Sequence, residues 1–232
     1  MDDLEIISSS EETILYKLEN LSKLNDKTLK KLKWPEGVRS KLFILTGRTD
    51  EDEKTFAALA GTAPVWGLYS ADKADLVVDE SVPFLPSIRL RPLKALYDVR
   101  KAYLDTRESW YRERNAKASP RQTAENNNFL ENFLPESRYV CFEKSGKPAG
   151  LLLLNEYSDY LGKLADLVTW VWEEPSLNSD ERRVIHAAMG AWLGTNAEGR
   201  VHAYAAAANA GAIKLYKELG FRLEAVRVAK EN

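Results

Sequence analysis

One cysteine, two histidines and two methionines among 232 residues leave little material for several chemistries at once. The single thiol, Cys141, cannot close an internal disulfide, and its setting in Arg-Tyr-Val-Cys-Phe-Glu is that of a small apolar residue inside a strand. With one cysteine and two separated histidines there is no spaced metal-ligand set. His186 falls among the apolar rows of a helix and His202 in a strand, so both read as structural and no metal is expected. No apolar run approaches the roughly 18 residues needed to cross a bilayer. The start, Met-Asp-Asp-Leu-Glu, is acidic where a signal peptide is basic, which makes the cytoplasm the expected location, with no membrane partner. Neither a P-loop nor a Gly-x-Ser-x-Gly elbow occurs. Charge of one sign is also missing. The 33 basic and 35 acidic residues are mixed along the chain, and a net charge of -2 gives no footprint for nucleic acid.

What is present points to a globular chain with a substantial core. Hydrophobic residues make up 44% of the sequence, and six Trp and ten Tyr are costly to leave in water. The length admits one large domain or two small ones. Ser81-Val-Pro-Phe-Leu-Pro-Ser87 carries two prolines unsuited to an element interior, so the boundary is expected near residue 85. That gives a smaller N-terminal α/β domain over 1–85 and a second domain over 86–232.

In the first part, Ser9 and Glu12 have capping-box spacing and Ile14, Leu18 and Leu21 recur at helical intervals, which predicts a helix from about Glu11 to Leu24 after a strand at Leu4–Ile7. The lysines between Lys23 and Lys33 alternate with Leu24, Leu29 and Leu32, the pattern of a helix with a solvated basic face. Strands are expected at Leu42–Thr46 and Val65–Tyr69, flanking a helix that begins at the acidic stretch Asp50–Glu53 and stops at Gly61.

The second part has a clearer order. Ile88–Arg91 reads as a strand, followed by a helix after Pro92 and a shorter one around Phe129–Leu134. Tyr139–Glu143 and Gly150–Glu156 form an expected hairpin with Gly146 and Pro148 in its turn, and Leu164–Trp172 is a third strand. Asp180 is placed to cap a helix with rows Val184, Ala188, Trp192 and Ile185, Met189, Leu193. The alanine-rich segment Val201–Ala207 is read as a strand despite its helix propensity, because Asn209 is a good N-cap and Gly211 interrupts a continuous helix. A helix then buries Ala212, Leu215, Tyr216 and Leu219, ends at Gly220, and leads to a closing strand over Phe221–Val228.

The tail Asn209-Ala-Gly-Ala-Ile-Lys-Leu-Tyr-Lys-Glu-Leu-Gly-Phe221 resembles the signature of the GNAT superfamily of acyl-CoA-dependent N-acyltransferases, and the elements before it follow that family's order over about residues 86–232. The resemblance implies an α/β (α+β) fold with a mixed, mostly antiparallel sheet flanked by helices. It also implies acetyl-CoA or another acyl-CoA as co-substrate, and a small-molecule or protein amine as acceptor. Two neighbouring strands, here Leu167–Trp172 and Val201–Ala206, would splay to admit the pantetheine arm, with Trp170, Val171 and Trp172 along the first and strand amides near Val171 polarising the thioester carbonyl. Asn209 and Ala212 would open the signature helix beside the ligand. Tyr216 resembles the family's tyrosine that protonates the departing thiolate. A phenol near ~10 and a thiol near ~8.5 make that transfer feasible, and a core tyrosine with its hydroxyl bonded at the rim fits the helical stripe equally well.

An alkylammonium must lose a proton before it can attack, so a base is needed. Asp166 at the start of the strand and Glu173 or Glu174 at its end are the candidates, with a solvated structural role as the alternative for each. The main departure from the family is the phosphate loop. Where glycines normally expose helix N-terminal amides, this chain has Pro175-Ser-Leu-Asn-Ser-Asp-Glu-Arg-Arg183. Ser179, Asp180, Arg182 and Arg183 would then face the pyrophosphate, with the arginines offsetting the repulsion of Asp180 and Glu181. The alternative is a non-catalytic GNAT-like binding or assembly module that has lost its cofactor. The first 85 residues are candidates for covering the acceptor side or for joining two copies in a homodimer.

Overall fold

The computed structural model describes residues 5–9, 12–47, 49–60, 65–79, 81–82, 88–91 and 138–230. The two helices expected between Pro92 and Pro135, and most of the proline-containing junction, lie outside the described residues. The chain divides into two compact units. One comprises Met1–Leu76 with His202–Asn232, and the other Val77–Val201.

The first unit contains β1 (Glu5–Ser9), β2 (Thr13–Leu18), α1 (Asp26–Lys30), β3 (Ser40–Leu45), α2 (Asp50–Ala58) and β4 (Val65–Asp72). The end of the chain adds most of β9 (Arg200–Ala206), then α4 (Ala210–Glu218) and β10 (Arg222–Ala229). The second unit contains β5 (Ile88–Arg91), β6 (Arg138–Lys144), β7 (Lys147–Ser158), β8 (Leu164–Glu173) and α3 (Ser179–Asn196). Strands run in the order β1-β2-β3-β10-β4-β9 in the first unit and β8-β7-β6-β5 in the second. Pairing is antiparallel except between β2 and β3, among the pairs whose register is known. The fold class is therefore the expected one, a mixed and mostly antiparallel sheet with helices.

The grouping of residues differs from a linear division at 85. β10 hydrogen-bonds to β3 on one side and β4 on the other, so the last strand completes a layer begun by the first 76 residues. Its Leu223, Ala225, Val226 and Val228 are all buried, and that apolar run needs neighbours on both edges.

The helix expected over Glu11–Leu24 is replaced by β2 and a 3-10 turn at Leu21–Lys23. Ile14, Leu18 and Leu21 are buried as the helical spacing requires, but Leu15 between them is buried too. Thr13, Ile14 and Tyr16 favour a pleated strand, and lying between β1 and β3 satisfies both edges of the segment. The Tyr16 ring stacks on Phe43 of β3 at 5.2 Å, and Lys41 Nζ donates to the Tyr16 hydroxyl at 3.0 Å. In the basic stretch, α1 is only five residues long, capped by Asn25 and Thr28. Leu24, Leu29 and Leu32 are buried while Lys27, Lys31 and Lys33 are exposed.

The alanine-rich segment is a strand, as expected. Val201, Ala203 and Ala205 are buried at alternate positions of β9, while Tyr204 on the other face is exposed. In the β6–β7 hairpin the turn is tighter than the sequence suggests. Ser145 and Gly146 alone make it, with φ of 51° and 79°, and Pro148 lies within β7 opposite Glu143.

Candidate active site

β8 and the start of α3 carry most of the residues singled out in the sequence, and they belong to the second unit. β7 and β8 pair from Ser158↔Leu164 to Gly150↔Glu173, with one irregularity. Leu151 is opposite Trp172 and Leu152 opposite Trp170, so Val171 is an extra residue with no counterpart on β7. Such a bulge takes one peptide unit out of the ladder and re-aims it. It falls at the position where the sequence places the amides that would polarise a carbonyl.

Trp170, next to the bulge, is fixed by its neighbours. Its ring meets Phe142 of β6 edge to face at 5.7 Å and lies over Gly150 of β7. A Cβ at Gly150 would stand 2.4 Å from Trp170 Cη2, so the glycine is there to make room for the indole.

Glu173 closes β8. Arg182 Nε donates to its Oε1 at 2.6 Å, His186 Nε2 lies 3.5 Å from its Oε2, and Arg182 Nη2 also reaches the Pro175 carbonyl at 3.1 Å. Arg182 and His186 are four residues apart on α3 and so share one face. Burial would raise the Glu173 pKa, but hydrogen bonds and charge from His186 and Arg182 outweigh it and hold the carboxyl below its usual range.

The start of α3 is capped by Asn178 and not by Asp180. The Asn178 side chain accepts from the Glu181 amide at 2.9 Å, and Glu181 Oε2 accepts from the Asn178 amide at 2.9 Å. Asn178-x-x-Glu181 is a capping box readable from the sequence, and it places the cap two residues before Asp180. Lys144 Nζ donates to Glu181 at 2.7 Å, and with the Asn178 amide it holds that carboxyl below its usual range. Ser179 and Asp180 are exposed in the first turn. Arg183 donates to Asp79 Oδ2 at 3.2 Å and to Ser81 Oγ at 3.3 Å. Hydrogen bonds from Ser81 and then Arg183 lower the Asp79 pKa. Both arginines expected to meet phosphate are therefore already engaged by carboxylates.

Asp166 is 3% exposed. One oxygen accepts from Arg138 Nη2 and the other from the Glu198 amide at 2.8 Å, while Arg138 Nη1 donates to the Asn196 carbonyl. The cluster ties β6, β8 and the end of α3 together. Glu174 Oε1 accepts from the Ser176 amide at 3.2 Å, closing the turn that follows β8.

Asn209, Ala212 and Tyr216 lie in the first unit, on α4. The Asn209 side chain accepts from the Ala212 amide at 3.1 Å, which caps the helix as expected. At the other end Gly220 has φ of 90°. Its amide bonds to the Lys217 carbonyl at 3.0 Å and the Phe221 amide to the Tyr216 carbonyl at 2.9 Å, which is a Schellman closure. Tyr216 is 3% exposed, and its ring packs 5.7 Å from Phe221 and 6.1 Å from Tyr69. Tyr69 itself is fully buried, and its hydroxyl has no hydrogen-bond partner among the described residues. Burial pushes its pKa up, and the nearby charge of Glu53 adds to the effect.

No protein-family model matches the chain, and no curated protein matches it either. Solved structures do. A functionally unknown conserved protein from Staphylococcus epidermidis shares 14% identity at a TM-score of 0.51, over 99% of this chain and 95% of that one. The likeness is one of fold. A GCN5-related N-acetyltransferase from Kribbella flavida matches at 13% identity and a TM-score of 0.46, covering 93% of this chain and 79% of that one. Another from Sphaerobacter thermophilus matches at 12% and 0.47, covering 97% and 74%. Among the described residues, no helix is long and apolar enough to cross a membrane.

Sequence reasoning had assigned no role to Arg138, Lys144 or Asn178 and had taken His186 as structural. Asn178 and His186 had local signals, the capping box and the four-residue spacing from Arg182. Arg138 and Lys144 had none, because their partners are 28 and 37 residues away.

Proposed function

We propose that this chain is an acyl-CoA-dependent N-acyltransferase, with acetyl-CoA or a longer acyl-CoA as co-substrate, that passes the acyl group to a primary amine by direct attack in a ternary complex. The observation that carries the reading is the bulge at Val171, which interrupts the pairing of β8 with β7 between Trp170 and Trp172. A donor aimed at a thioester oxygen stabilises the charge that grows there as the amine adds, and a preorganised donor of this kind is worth several kcal/mol of barrier. The signature segment supports the same reading. Asn209, Gly220 and Phe221 each have a defined backbone role in presenting α4, the helix that carries Tyr216.

In this reading Trp170, Val171 and Trp172 line the acyl and pantetheine path, and Asn209 and Ala212 stand at the opening of α4. Ser179, Asp180, Arg182 and Arg183 surround the phosphates, with Tyr216 as donor to the departing thiolate. Of the three carboxylates considered as base, Asp166 has both oxygens committed and Glu174 closes a turn. Glu173 is left at the reactive end of β8, its side chain 23% exposed.

The self-capped start of α3, with Asp180 and Glu181 in its first turn, is the feature that favours the alternative of a module that has lost CoA binding. Calorimetric titration separates the two. Micromolar affinity for acetyl-CoA or a longer acyl-CoA supports the enzyme, and absence of heat at millimolar ligand refutes it. Tyr216→Phe is expected to lower turnover while leaving acyl-CoA affinity nearly intact. Unchanged turnover removes that residue from the mechanism.

A further inference from the structure

Glu173 and His186 together resolve a difficulty in the proposed reaction, and the inference rests on that reading. A carboxylate that accepts from Arg182 at 2.6 Å and has an imidazole on its other oxygen at 3.5 Å is stabilised as the anion. It is a correspondingly poor acceptor for an ammonium proton. Imidazole, whose ordinary pKa is about 6.5, is much better matched to proton transfer near neutral pH.

We propose that His186 is the general base of this site, and that Glu173 is the positioning residue that orients its ring. Three geometric observations carry the assignment. His186 Nε2 faces Glu173 Oε2, and the N–H there donates to the carboxylate, which fixes the tautomer with the lone pair on Nδ1. Arg182, one helical turn earlier on the same face, holds the second carboxylate oxygen, so Glu173 cannot swing away from the ring. Glu173 lies two residues beyond the Val171 bulge, and the His186 side chain is 22% exposed, so the ring is reachable from solvent. Glu173 from β8 faces the ring, and Arg182 from the same helix as His186 holds that same carboxylate.

The step balances as follows. His186 Nδ1 takes one proton from the substrate ammonium, and the imidazolium that forms is stabilised by Glu173. The neutral amine attacks the thioester carbon, the C–N bond forms and the C–S bond breaks, and a second amine proton passes to the departing thiolate. The imidazolium then returns its proton to solvent, leaving amide, thiol and free protein. A carboxylate paired with a base that never contacts it would serve no purpose in this scheme; the 3.5 Å approach is long for a neutral hydrogen bond and is expected to tighten as the ring becomes charged.

Two measurements test it. First, the chain has only two histidines, so the imidazole 15N resonances of His186 are assigned by comparison with His186→Gln. The Nε2–H tautomer is expected in the wild type and a mixed population in Glu173→Gln. A dominant Nδ1–H tautomer overturns the assignment. Second, thiol release from acetyl-CoA is followed with lysine, glucosamine and spermidine as acceptors. His186→Ala is expected to lower kcat by about 100-fold or more while acetyl-CoA affinity, measured by calorimetry, stays within about twofold, and added imidazole is expected to restore part of the rate. Wild-type turnover in His186→Ala overturns the inference and leaves the proposed function standing. A wild type that neither binds acetyl-CoA nor releases thiol with any of the three amines removes both.

Discussion

Replacing Gly150 by alanine is expected to destabilise the second unit by about 2 kcal/mol and to displace the Trp170 indole. No positive φ is recorded at Gly150, so the added methyl costs nothing in backbone conformation and the effect comes from space alone. That methyl would lie 2.4 Å from Cη2, 3.0 Å from Cζ2 and 3.3 Å from Cζ3 of Trp170, so the whole edge of a rigid ring has to move. Overpacking of this kind costs about 1–3 kcal/mol. Loss of the edge-to-face contact with Phe142 adds about 0.5–1.5 kcal/mol, and the reduced freedom of the unfolded chain offsets about 0.4–1 kcal/mol. Urea unfolding followed by far-UV circular dichroism gives the stability, and the indole 15N–1H spectrum, with six Trp signals, reports the ring. Trp170→Phe in the Gly150→Ala background removes the clashing edge, so the double variant is expected to be more stable than the sum of the single effects predicts. Because the indole adjoins the Val171 bulge, turnover should fall by more than the stability loss explains. A Gly150→Ala protein within about 0.5 kcal/mol of the wild type, with six unmoved indole signals, would refute this account of β8.

Asp166→Asn should cost about 2 kcal/mol, less than a fully buried pair because Arg138 is 34% exposed, and Arg138→Met should lower the melting temperature to a similar extent. An Asp166→Asn protein of wild-type stability would show that the cluster is not a structural tie. Tyr69→Phe removes a buried hydroxyl that has no partner among the described residues and is expected to raise stability by about 1 kcal/mol at neutral pH. The folded-state pKa of Tyr69 is raised, so its contribution is complete below the unfolded value near 10 and declines as pH rises above that. Tyr69→Phe should therefore lose less stability than the wild type above about pH 10, and identical alkaline unfolding profiles would contradict the burial of the phenol. Acetyl-CoA binding should weaken by less than about tenfold between roughly 50 and 500 mM salt, because the arginines beside the α3 start already hold carboxylates. A steeper loss, measured by titration, would show that they exchange freely to phosphate.

The signature helix was legible because each of its distinctive residues has a local duty. Asn209 caps, Gly220 takes a positive φ, and Phe221 supplies the closing amide, and none of these depends on distant partners. β9 was legible for a similar reason, since a good N-cap after the alanines makes a break cheaper than a continuous helix. β2 was misread because Ile14, Leu18 and Leu21 satisfy a helical period and a strand followed by a turn equally well. Pairing with β1 and β3 decided it, and pairing is not written in a window of twelve residues. The return of β10 between β3 and β4 was hidden for the same reason. At the candidate site the residue types were found but not their pairings. Asp166 and Glu173 look alike in sequence, one near each end of the same strand, and only the structure shows what their oxygens accept.

That difference bears directly on the chemistry. Asp166, 3% exposed, accepts from Arg138 and from the Glu198 amide, and protonating it would break two anchors at once. Glu173 is bound by two groups from one helix face, and one of them, His186, is the ring proposed to carry the proton. A site that must pass a proton during each cycle without loosening its frame benefits from this division. The buried carboxylate fixes the strand, the partly exposed carboxylate fixes a ring, and the ring moves the proton. If the roles were exchanged, each turnover would charge and discharge the tie between β6, β8 and the end of α3, and the Val171 bulge farther along β8 would shift with it. The same logic explains why Glu173 has two partners: Arg182 and His186 together hold its carboxyl below the usual range, and a lasting negative charge is what an imidazolium needs beside it.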